Sequence, residues 1–175
     1  MENKSIVIRR PLNAEASLIA DISRQTFIES FGPVNTQENM NKFMTEQFSK
    51  EKLIAELSDH KNTFFIALEG EEIAGYIKLR ESENPPALKN QNVIELSRIY
   101  AVNKMIGKGI GKLLMETAVE FGLQTQKQVL WLGVWEKNER AINFYHRWGF
   151  EKFGEHDFIL GDDVQTDWLM KKELK

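Results

Sequence analysis

The sequence predicts an α/β fold, and two stretches carry that prediction. In the first, residues 93–102 alternate and are rich in β-branched and aromatic side chains, as a strand is. They run into the glycine-rich residues 103–112, and then into residues 113–121 with apolar positions at helical spacing. In the second, residues 129–134 form a continuous apolar run that predicts a fully buried strand. Residues 138–149 then predict an amphipathic helix that opens on Asn138 and stops at Gly149. Strands alternating with helices in this way belong to chains whose helices flank a sheet.

The remaining elements follow in order. Residues 6–9 predict a short first strand. Asn13 is placed to cap a helix over residues 14–31, with Leu18, Ile22, Phe27 and Phe31 turned inward and Gly32-Pro33 as its stop. Residues 36–48 and 49–57 predict two short helices, each opening on a hydroxyl residue, Thr36 or Ser49. Residues 63–68 and 73–79 predict a hairpin across Glu69-Gly70-Glu71. Residues 84–92, with Pro85-Pro86, predict an exposed connection. Residues 150–160 and 165–171 predict a last hairpin across Gly161-Asp162-Asp163. There is no internal repeat, and residues 1–175 are expected to fold as one domain.

The glycine loop has a chemical meaning. Glycines let backbone approach a ligand closely, and the first N–H groups of the following helix lack intrahelical partners. The helix dipole also favours negative charge there, so a pyrophosphate is the natural guest. A Walker A loop is excluded, because Leu113 stands where its hydroxyl should follow Lys112 and the glycine spacing differs. A Rossmann fingerprint is excluded by the missing G-x-G-x-x-G. The second motif is the helix itself, N-x-x-A-x-x-F-Y-x-x-x-G-F over residues 138–150. Its stripe of Ala141, Ile142, Phe144, Tyr145 and Trp148 includes one hydroxyl, which needs a polar partner.

These two motifs together resemble those of the GCN5-related N-acetyltransferase (GNAT) superfamily. The loop departs at one position, where Ile106 stands in place of a Gln or Arg. The resemblance implies acetyl-CoA as co-substrate, no metal, and a mixed central sheet of about seven strands flanked by helices. That sheet is expected to splay between its fourth and fifth strands, residues 93–102 and 129–134. Pantetheine is expected along Ile99, Tyr100 and Ala101, like an added strand. The pyrophosphate is expected at Gly107, Lys108, Gly109, Ile110, Gly111 and Lys112, and further cofactor contacts at Asn138, Asn143, Tyr145 and Arg147. Tyr145 is expected as general acid, since a phenol with a pKa near ~10 is protonated at neutral pH. The alternative for Tyr145 is a core tyrosine with a satisfied hydroxyl.

A base must deprotonate the attacking ammonium. Glu95, which alternation puts on one face with Ser97 and Ile99, is the first candidate, and an ordinary surface carboxylate is the other reading. His156 is the second candidate base. Trp131 to Asn138, Gly161-Asp162-Asp163, Gln165-Thr166-Asp167, Arg98-Ile99-Tyr100 and Thr26-Phe27 look like bacterial PaiA-type spermidine/spermine N-acetyltransferases. A polyamine substrate is therefore implied, its path lined by carboxylates such as Glu29, Glu95, Asp162 and Asp163. Alternatives are a protein N-terminus, a lysine, an amine drug, or a non-catalytic acyl-CoA sensor.

Composition narrows the classes. There is no cysteine, so disulfides, thiolate zinc sites and a cysteine nucleophile are excluded. The 3 histidines are scattered, and 23 Lys plus Arg against 26 Asp plus Glu leave no nucleic-acid footprint. No apolar run reaches membrane-spanning length, and residues 1–7 lack the plan of a signal peptide. A cytoplasmic protein with a small-molecule amine substrate is expected. The 4 tryptophans would permit a homodimer.

Overall fold

The computed structural model describes residues 5–175, so most of the N-terminal stretch read for a leader (residues 1–4) lies outside the described residues. The chain runs β1 (Ile6–Arg9), α1 (Ala16–Phe31), α2 (Gln37–Glu46), α3 (Lys50–Ser58), β2 (Asn62–Glu69), β3 (Glu72–Arg80) and β4 (Val93–Ala101). It continues through α4 (Ile110–Gln124), β5 (Val129–Trp135), α5 (Glu139–Arg147), β6 (Glu151–Leu160) and β7 (Asp163–Glu173). All seven strands form one sheet in the order β1-β2-β3-β4-β5-β7-β6. The β4–β5 pair is parallel and every other pair antiparallel.

Alternation along the strands builds two cores. One face carries Ile77, Leu79, Leu96, Leu130, Leu132 and Met170 against Leu114, Met115 and Ala118 of α4 and Ile142 and Tyr145 of α5. The other carries Phe64, Ile66 and Tyr76 against Ile19 of α1. Beside that second core an aromatic cluster joins the helices, with Phe27 of α1 4.6–4.9 Å from Phe31, Phe43 and Phe48. Arg24 of α1 donates to the carbonyls of Met44 and Phe48, satisfying the end of α2.

Local signals explain the helix starts. The hydroxyls of Thr36 and Ser49 accept from the N–H groups of Asn39 and Lys52, and the Asn138 side chain accepts from Ala141. Asn13 does not cap α1. It opens a 3-10 turn, Asn13–Glu15, where the Glu15 carboxylate reaches back to the Leu12 N–H at 2.7 Å. Leu18 is 47% exposed rather than inward, because α1 buries Ile19, Ala20, Ser23, Thr26 and Phe27 instead. The proline connection is not wholly exposed either. A 3-10 turn, Pro86–Leu88, inserts Leu88 among Val93, Val129 and Trp131.

Helix α2 is tied to the β6–β7 turn at the far end of the sheet. The N–H of Asp162 donates to Asn39, Gln165 donates to Asn35, and Lys42 pairs with Asp162.

Gly75 of β3 lies where the neighbouring strand leaves no room for a side chain. A Cβ there would stand 2.5 Å from the carbonyl oxygen of Tyr100 on β4. Gly75→Ala must push two paired strands apart, and an overpacked core site costs about 1–3 kcal/mol. Urea unfolding should show a lower midpoint with an unchanged slope.

Candidate active site

The site begins where the parallel pairing stops. β4 and β5 are hydrogen-bonded only over Val93–Glu95 and Val129–Trp131, yet both strands run on. Beyond that point β5 follows β7, with which it pairs along its whole length. Strand β4 stays with β3 and bulges, because Leu79 pairs Leu96 and Lys78 pairs Arg98, leaving Ser97 without an opposite residue. The β5-facing backbone of Leu96–Ala101 is thereby left as a free edge inside the sheet.

The resulting cleft has a volume of ≈ 1310 Å³. Ile99, Tyr100 and Ala101 form its free strand edge, and Gly107, Gly109, Gly111 and Lys112 its loop end. Gly107 and Gly109 have φ of +86° and +84°, in the left-handed region, and Gly109 is the N-cap of α4. The first helical hydrogen bond runs from Leu113 N–H to the Gly109 carbonyl, so the N–H groups of Ile110, Gly111 and Lys112 precede the ladder. Phe144 of α5 lies against Gly111, and Asn138, Arg140, Tyr145 and Arg147 line the cleft from the same segment. The free strand edge, the open N–H groups and the basic side chains suit pantetheine and pyrophosphate in the same order.

Three expected cofactor residues do not bring side chains to the cleft lining. Ile110 is buried in the core and offers its backbone alone. The Lys108 ammonium turns to the Met105 sulfur at 3.5 Å, and Asn143 lies exposed on α5. Arg140, which does line the cleft, was not singled out. Its seven-residue spacing from Arg147 on one helix face is the signal that could have found it.

Tyr145 lines the cleft at 8% exposure, and burial raises its pKa, so the phenol is protonated throughout the neutral range. Glu95 also lines the cleft, but not as alternation suggested. The bulge at Ser97 resets the parity of β4, so Glu95 shares its face with Arg98, Arg80 and Lys78 rather than with Ile99. Its carboxylate takes a two-pronged contact from Arg80 at 2.8 and 3.1 Å. Of the other carboxylates named from sequence, Glu29 lines the cleft. Asp162 and Asp163 do not; Asp162 pairs with Lys42, and Asp163 accepts from Gln165.

The floor on the α3 side is charged. Glu56 of α3 holds Arg98 at 2.7 and 3.0 Å and Lys78 at 3.0 Å. Burial alone would raise the Glu56 pKa, but Arg98 and Lys78 outweigh it and hold the carboxyl low. Burial and the like charge of Arg98 push Lys78 down to about 8, against the pull of Glu56. Phe48 lies 4.6 Å from the Arg98 guanidinium, and with Phe27, Phe31, Phe43 and Phe158 it walls the cleft opposite the glycine loop.

Residues 24–150 match the profile described as the acetyltransferase (GNAT) family. The chain belongs to that family. This GNAT protein is 43% identical over 153 residues to an uncharacterized N-acetyltransferase of Lactobacillus delbrueckii subsp. lactis, covering 87% of this chain and 88% of that one. It is 26% identical over 177 residues to the spermidine N(1)-acetyltransferase of Thermoplasma acidophilum, covering 98% and 99%. Its backbone matches the crystal structure of the PaiA N-acetyltransferase from that organism in complex with coenzyme A. The TM-score is 0.78 at 24% identity, over 97% of this chain and 99% of that one. It is an acetyl-CoA-dependent N-acetyltransferase. Among the described residues, no helix is long and apolar enough to cross a membrane.

The Lys78 cluster makes stability depend on alkaline pH. The folded chain releases this proton at about 8, whereas an unfolded lysine keeps it to about 10.5, so the unfolded state binds more protons in between. Stability attributable to Lys78 therefore rises from about pH 8 to about pH 10.5. The difference in urea midpoint between wild type and Lys78→Met should shift in favour of wild type across that window.

Proposed function

We propose that this GNAT acetyltransferase acetylates a strongly basic primary amine, a polyamine of the spermidine or spermine kind, with Tyr145 as general acid. The observation that carries the reading is how charge is paired along the cleft. Of its cations, Lys42, Arg80 and Arg98 are each engaged, by Asp162, Glu95 and Glu56, which leaves Lys112, Arg140 and Arg147 for a polyanionic co-substrate. Of its carboxylates, Glu29, Glu46, Asp157 and Asp167 line it with no lysine or arginine in an ion pair with them among the described residues. A polyanionic co-substrate and a cationic amine would each meet its complement, and aliphatic segments of a polyamine would lie against the phenylalanines. The relation to a spermidine N(1)-acetyltransferase supports the same class.

In this reading the pantetheine bonds to the free edge at Ile99, Tyr100 and Ala101, which brings the thioester to the mouth of the splay. Backbone N–H groups near Ala101 would face the oxygen that gains charge as nitrogen attacks. The departing thiolate needs a proton, and a buried, protonated phenol is suited to give it. Asn138 would hold the α5 terminus in place while capping it.

The first experiment measures free thiol released from acetyl-CoA with spermidine, spermine, putrescine, lysine, an aminoglycoside and N-terminal peptides. Turnover confined to the polyamines is expected; turnover confined to peptides or the aminoglycoside would replace the substrate class. Tyr145→Phe should lower kcat for the accepted amine by about 10²–10³-fold, within the range for loss of a general acid. Its affinity for coenzyme A, measured by calorimetry, should stay within about threefold of wild type, since only a hydroxyl is removed.

A further inference from the structure

We propose that His156 and Asp167 together form the proton acceptor that converts the incoming ammonium to the reactive amine, a step that rests on the substrate reading above. The two residues face each other across β6 and β7 in direct register. Nε2 of His156 lies 3.7 Å from Oδ2 of Asp167, and both side chains line the cleft. The carboxylate is the inner member, with its side chain 15% exposed, and the imidazole the outer one at 49%. A proton taken from the cleft thus has a way out to solvent.

Strand β5 marks where the amine would sit. Val129–Val134 is buried except for Gly133, which is open to the cleft. The point where a Cβ would stand on Gly133 is 3.4 Å from Oδ2 of Asp167 and 3.6 Å from Nε2 of His156. Nothing of the protein fills that point, and both groups converge on it. A ligand nitrogen near there would be close to the reach of either. Tyr145, the expected acid, lines the same cleft. Glu95, the other candidate, already engages Arg80 with both oxygens.

The chemistry balances. One proton passes from the ammonium to His156, and the inner carboxylate, Asp167, stabilises the imidazolium. The neutral nitrogen forms the N–C bond, the C–S bond breaks, and sulfur takes the Tyr145 proton. The second proton leaving nitrogen restores Tyr145, and the first passes from His156 to water. Burial raises the Asp167 carboxyl against the opposing pull of His156.

Two substitutions test this, read as thiol release with spermidine and with coenzyme A affinity as the check on folding. His156→Ala should lower kcat by about 10²–10³-fold at unchanged KM for acetyl-CoA, and added imidazole should restore part of the rate. In Gly133→Ala the new methyl makes ordinary van der Waals contacts, so the strand persists while the point between the two groups is filled. The KM for spermidine should then rise by about tenfold or more. A His156→Ala enzyme within about threefold of wild type, or one whose loss imidazole does not restore, overturns the proposal. A wild type silent towards spermidine but active on another amine of the panel removes only the polyamine reading, and the same variants are then judged on that amine. A wild type silent on every amine overturns both.

Discussion

The rest of the molecule depends on how little of β4 is bonded to β5. Three residues on each strand hold the sheet together at its centre, and that contact is enough because α4 and α5 cover one face and α1 the other. Past Glu95 the two strands follow different partners, β4 with β3 and β5 with β7. Unsatisfied backbone groups inside a sheet are costly unless something bonds them. A fold that keeps such an edge open has reserved it for water or a ligand. The glycine loop then continues from the end of that edge, so strand and helix N-terminus receive one extended molecule along a single line.

The charged floor beneath the cleft follows from the same geometry. The bulge at Ser97 turns Arg98 onto the face of Lys78, Arg80 and Glu95, which gathers four ionisable groups on two adjacent strands. Burying charge is tolerated only when partners are supplied. Glu56 supplies one for Arg98 and Lys78, and Arg80 and Glu95 supply each other. The arrangement fixes α3 to the sheet and spends carboxylates that otherwise would be free for chemistry. Asp167 is held differently, by a histidine that is itself half open to solvent.

Local motifs were legible in the sequence and pairing-dependent features were not. The hydroxyl caps at Thr36 and Ser49, the asparagine cap at Asn138 and the left-handed glycines before α4 act through residues within a few positions of themselves. Their signals lie in short stretches of chain. Leu18 was misplaced because α1 packs on both the sheet and α2, so its buried face is wider than and shifted from a single apolar stripe. The face of Glu95 was misassigned because one unpaired residue inverts strand parity, and no residue type in 95–98 announces a bulge. The proximity of His156 to Asp167 needs the register of β6 against β7. The aromatic wall needs α1, α2, the α2–α3 connection and β6, drawn from residues 27 to 158. Side-chain direction at Lys108 and Asn143 is set by packing and solvent rather than by the motif that contains them.

The contact between α2 and the β6–β7 turn gives the cleft a second closure. At one end the halves of the split sheet are joined by backbone hydrogen bonds of β4 and β5; at the other they are joined by Asn39, Asn35 and Lys42 reaching Asp162 and Gln165. The two joints differ in kind. The first is a ladder between covered strands; the second adds to its polar contacts an apolar one, because Leu160 of β6 is fully buried among Phe27, Met40 and Phe43. That second joint lies on the hairpin that bears His156 and Asp167. The helices that carry the aromatic wall therefore also anchor the strand pair that carries the two groups, so wall and hairpin form one rigid jaw of the cleft.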